Sequence, residues 1–144
     1  MKTAKYSEKI AALWTTFLLG TLFHTQLGLM PLFHGQSIVE SQQTSNLDPI
    51  FWGMLLFFLL PMLAIIGVNF SESRSLRKAH FWLTILYSVL NLAHLIADLL
   101  VRPIAWYQIA LMAILLIIGL ILNLVSYQWL RLAIAHPRHL SESH

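Results

Sequence analysis

The chain has 144 residues, of which 58% are hydrophobic and only 10% are Asp, Glu, Lys or Arg. An ordinary soluble domain carries roughly 25% charge, and a disordered segment carries more charge still and far fewer apolar residues. Both classes are excluded by the same numbers, and an integral membrane protein remains.

Lys2, Lys5 and Lys9 open the chain like the basic start of a secretory leader. The apolar run that follows, Ile10 to Phe33, is too long for a leader's core and closes on no small-x-small cleavage site. It is predicted to be the first of four transmembrane helices, over 10–33, 49–71, 79–101 and 103–130. Each exceeds the roughly 20 residues needed to cross a bilayer, and Asp98 is the one formal charge within them. Backbone amides in lipid must pair internally, and the roughly ten-residue alternating pattern of barrel strands is missing, so the fold class is an all-α four-helix bundle in one domain, 1–144.

Between the first two helices lies a polar loop, 34–48, rich in Ser, Gln and Thr. Asp48 can cap the second helix and Pro49 suits its first turn, with Trp52 at belt depth. Arg74, Arg77 and Lys78 fall between helices 2 and 3, and Arg131 and Arg138 follow helix 4 in a tail over 131–144. Eight of the nine cations therefore share one side, which the positive-inside rule assigns to the cytoplasm, with both termini inside and the 34–48 loop outside. The net charge of +3 and the pI near 9.5 follow from this asymmetry, which suits anionic lipid headgroups and implies no nucleic-acid partner. Arg102-Pro103 is almost no loop, so helices 3 and 4 must be antiparallel neighbours.

Cysteine is absent, which excludes disulfides, thiolate ligands and iron–sulfur clusters, and no phosphate-binding loop, nucleophile elbow or zinc-protease motif occurs. Chemistry must come from the few polar residues inside the helices. Helices 1 and 3 run in the same direction; His24 lies 14 residues past Ile10, and His94 lies 14 past His80. At 1.5 Å per residue both reach about 21 Å, the same depth in the outer half of the bilayer.

Gly20 and Gly28 flank His24 at i−4 and i+4 and offer a smooth face, while Asn91 and Asp98 share the face of His94. A flat cofactor fits beside such a face, so one reading is haem b held by His24 and His94 as axial ligands for electron transfer. Asn91 would tune that site and Arg102 would pair with a propionate. A second reading is a divalent metal ion on His24, His94 and Asp98, joined by His34 if helix 1 bends at Pro31. In either, Asp98 is a donor, a proton relay, or the acceptor that orients a liganding imidazole; its structural alternative is to reach outward to water or pair with Arg102 one turn later. A third is glycine-mediated packing with mutually hydrogen-bonded histidines, in an accessory subunit of a larger membrane complex or a homo-oligomer. His80 is expected at the inner interface, and His136, His139 and His144 in the solvated tail.

The stretch Asn91-Leu92-Ala93-His94, followed by Arg102-Pro103 and an aromatic start to helix 4, resembles the third-helix pattern of the small bacterial membrane proteins of the HXXEE family. The family's helix-1 motif aligns with His24-Thr25-Gln26-Leu27-Gly28, ahead of Pro31, with Leu27 and Gly28 in place of the two glutamates. The resemblance implies about four helices, a bacterial plasma membrane and importance for His24 and His94. It implies no activity.

Overall fold

A computed structural model describes residues 2–36 and 46–135. Four helices carry them: α1 (Lys2–Phe33), α2 (Asp48–Phe70), α3 (Arg74–Leu100) and α4 (Trp106–Ala135). All four are long and apolar enough to span a membrane.

The helix ends depart from the apolar runs because polar residues also prolong helices where water satisfies their side chains. α1 begins at Lys2, eight residues before the apolar run, and α4 continues through Arg131, whose guanidinium lies 5.8 Å from the Tyr127 ring centroid. The tail expected from 131 therefore starts as helix, and 136–144, with His136, His139 and His144, lies outside the described residues, as does 37–45 of the polar loop. α3 begins at Arg74 rather than 79, because the Ser73 side chain accepts a hydrogen bond from the Leu76 amide and caps it. Arg74, Arg77 and Lys78 are thus helical, and the α2–α3 connection shrinks to 71–73. α4 starts at Trp106 instead of 103, leaving a short link over 101–105. Asp48 does not cap α2: Leu47 occupies that position, and the Asn46 side chain accepts from the Asp48 amide. Pro31 stays inside α1.

α4 is the hub. It packs most extensively on α3, as the short link requires, and next on α1, while α2 leans on α1, touches α3 lightly and lies diagonal to α4. α1 and α3 consequently face each other across the diagonal of the bundle, with no close backbone approach between them. Long side chains cross that diagonal. Trp14 and Phe17 from α1 meet Tyr87 from α3 edge-on, at ring-centroid distances of 5.1 and 6.3 Å.

The two ends of the bundle are packed differently. Ile10, Trp14, Val68, Leu122 and Trp129 are all buried in the half that carries Lys9, Arg77 and Arg131, termed here the basic end. Toward the other, far end, every residue from Asn46 to Leu56 is exposed, so the first half of α2 stands clear of its neighbours. Between these zones Gly119 lets α4 approach the Ser88 hydroxyl, where a Cβ would come within 3.1 Å, and Asn123 donates to the same hydroxyl at 2.9 Å. Such small-residue contacts suit helices in lipid, where apolar burial alone gives little drive to associate.

Candidate functional site

The face that α3 turns inward is polar along most of its length. Arg77, His80, Thr84, Tyr87, Ser88 and Asn91 are all buried, spaced three or four apart, and Asp98 continues the stripe. A helix in lipid reverses the soluble pattern: its apolar side chains face outward and its polar ones seek partners inside. That spacing was the available sequence signal for Arg77 and His80, which are buried among the helices at the basic end.

His80 is buried between two tryptophans, with ring centroids 6.3 Å from Trp14 and 5.8 Å from Trp129. Trp14 Nε1 donates to His80 Nε2 at 2.9 Å. An indole N–H can only donate, so Nε2 must be the bare nitrogen and the ring's proton sits on Nδ1. Beside it Arg77 donates to the Trp129 carbonyl at 3.0 Å and stacks over the Trp129 ring at 4.7 Å. Glu72 is a distant ion-pair partner at 4.0 Å. This group is a structural clasp at the basic end.

The second polar group lies toward the far end. His24 Nε2 and His94 Nε2 are 3.3 Å apart, as equal depth on parallel-running helices anticipates. Asp98, one turn beyond His94 on the same face, places its Oδ2 3.6 Å from His24 Nε2 and its Oδ1 3.7 Å from His94 Nε2. One donor atom from each of the three residues falls within a 4.8 Å radius of the others. The His24 side chain is 10% exposed and that of Asp98 21%, but that of His94 is 55%, so one side of the cluster is open. Asp98 stands against the same nitrogens that would bind an ion, not behind either imidazole at Nδ1. It is therefore placed as a donor and not as an orienting acceptor.

Other expected members fall elsewhere. His34 lies past the end of α1, exposed, and is not among the three clustered donors, because Pro31 does not turn the chain back. Arg102 is exposed, and among the described residues no ion pair joins it to Asp98. Asn91 is buried one turn from His94, its Oδ1 without a hydrogen-bond partner among the described residues.

The smooth face beside His24 is filled. A Cβ on Gly20 would collide with the Leu115 side chain of α4, so this glycine serves close helix packing and leaves no slot for a macrocycle. Gly28 clears room for Gln108 of α4, whose Nε2 would lie 3.7 Å from an added Cβ. Axial ligands of one haem also sit on opposite faces of the ring, with nitrogens separated by about 4 Å, twice a metal–imidazole bond of roughly 2.0–2.1 Å. The two imidazoles are closer than that and set edge-to-face at 82°. No porphyrin plane fits between them in this arrangement.

A single ion fits better. Tetrahedral donors at roughly 2.0–2.1 Å from a metal lie about 3.3–3.4 Å from one another. The two imidazole nitrogens, 3.3 Å apart, match that edge, and each lies 3.6–3.7 Å from a different oxygen of the Asp98 carboxylate, so one ion shared by all three residues needs the carboxylate to turn.

Fold and site together define a multi-pass membrane protein: a bundle of four spanning helices with a two-histidine, one-carboxylate cluster across its diagonal. Compared with known protein families, with curated proteins and with solved structures, the chain matches none.

Proposed function

We propose that this protein binds one divalent transition-metal ion between α1 and α3, with His24, His94 and Asp98 as its protein ligands. The observation that carries the reading is the gathering of one donor atom from each of these three residues within 4.8 Å of one another, with the two imidazole nitrogens 3.3 Å apart. Two imidazoles and a carboxylate suit borderline ions such as Zn²⁺, Co²⁺ or Fe²⁺, whereas Mg²⁺ and Ca²⁺ prefer oxygen alone. The resemblance to the HXXEE pattern draws attention to the same two histidines. Where that pattern has glutamates beside the helix-1 histidine, this chain has Leu27 and Gly28, and the carboxylate is supplied by Asp98 on α3.

Protein purified in detergent, depleted of metal and titrated with Co²⁺ tests the reading. One Co²⁺ per chain, with visible absorption characteristic of mixed nitrogen and oxygen donors, is the expected result. A Soret band in the protein as isolated would instead favour haem b and electron transfer. Neither colour nor stoichiometric metal would leave the accessory-subunit role.

The orientation belongs to the same reading: both termini in the cytoplasm of a bacterium, with the metal site in the outer half of the plasma membrane. Cysteines introduced at Ser45 and Ser141 provide the check. Three spanning helices separate these positions, so a reagent confined to the outside should label Ser45→Cys and spare Ser141→Cys. Equal labelling of both contradicts the topology.

A further inference from the structure

We propose that the metal centre takes up a small exogenous Lewis base, a monoanion or neutral molecule of about three or four non-hydrogen atoms, from a pocket that opens beside Asp98 at the far end. The inference rests on the metal reading and adds what the metal would meet there. Three protein donors leave at least one position of a four-coordinate ion free and more of a six-coordinate one, the hallmark of a reactive or exchanging site as opposed to a closed structural one.

The free position has somewhere to lead. A cavity of about 80 Å³ is lined by Asp98, Val101, Pro103, Ala105, Gln108 and Ile109, so the carboxylate of the candidate metal centre is also a wall of this space. A single water needs only about 10–15 Å³ of such space, so there is room for a guest of a few non-hydrogen atoms. Four of the six lining residues are apolar, which disfavours a multiply charged guest.

Gln108 is the polar lining residue contributed by α4. Its amide lies against Gly28, one turn along α1 from His24. As a lining residue of the cavity it can donate to a bound anion or accept from a bound water.

Azide is the probe, a linear triatomic monoanion. In Co²⁺-loaded wild-type protein, azide should shift the visible absorption in a saturable manner. Ala105→Leu fills the cavity without replacing a proposed ligand and should retain Co²⁺ while weakening the azide response at least 10-fold. Ile109→Phe fills the same space from the first turn of α4, so loss of cobalt by one variant does not remove the test. Gln108→Leu should weaken azide by a smaller factor. If wild-type protein binds no Co²⁺, the metal reading itself fails. If it binds Co²⁺ but azide leaves the spectrum unchanged, or if both cavity-filling variants respond as wild type does, the metal reading stands and this inference is overturned.

Discussion

His24→Ala, His94→Ala and Asp98→Asn should each weaken Co²⁺ or Zn²⁺ binding by more than about 100-fold, because removing even a group that only orients a ligand costs about 10–100-fold. Asp98→Asn keeps the side chain's shape and removes its charge, so it separates coordination from packing. His34→Ala and Arg102→Ala should bind metal as the wild type does, since both residues are exposed and lie outside the donor triangle. Isothermal titration in detergent measures all five. Equal affinity in wild type and His24→Ala would remove the basis for the site, and loss of binding in His34→Ala would mean that α1 does turn back at Pro31.

The largest stability effect is expected at the opposite end. Trp14 is fully buried, packs on Phe17, His80 and Tyr87, and supplies the hydrogen that His80 accepts. Trp14→Ala should destabilise the bundle by roughly 3 kcal/mol, the low end for such truncations, because lipid-exposed helices gain less from apolar burial than a soluble core does. Trp14→Phe keeps most of the ring and leaves His80 Nε2 without its donor, which should cost about 1–3 kcal/mol. Trp52→Ala and Trp106→Ala, both exposed, should stay within about 0.5 kcal/mol of wild type. Reversible unfolding in mixed micelles reads the series. A Trp14→Ala protein as stable as Trp106→Ala would show that the clasp does not hold the helices together.

Much of this architecture is legible in the residues alone. Four apolar runs specify four helices, and the Arg102-Pro103 link specifies the α3–α4 pairing, because these depend on length and solvation more than on packing detail. The meeting of His24 with His94 is legible too, since depth along parallel-running helices is simple arithmetic. Which residue faces which neighbour is a different matter. Gly20 reads equally well as a cofactor groove or a packing contact until Leu115 is seen against it, 95 positions later in the chain. His80 looks interfacial from its distance to Lys78, and only the rotation of α3 turns it toward Trp14 and Trp129. Helix existence is a local property, whereas helix rotation is set by all the neighbours together.

The unequal packing of the two ends has a thermodynamic consequence. Where α2 stands clear, few side chains oppose separation of the helices, so backbone opening there costs less than at the tryptophan-lined end and amide hydrogens should exchange sooner. The His24–His94–Asp98 triangle lies toward this softer half, on helices whose backbones do not touch. An ion there would act as a rivet across the diagonal, stabilising the closed arrangement by RT ln(1 + [M]/Kd), about 2.7 kcal/mol at a hundredfold excess over Kd. Metal availability would then set how often the far half of the molecule breathes, while the tryptophan-lined half stays shut throughout.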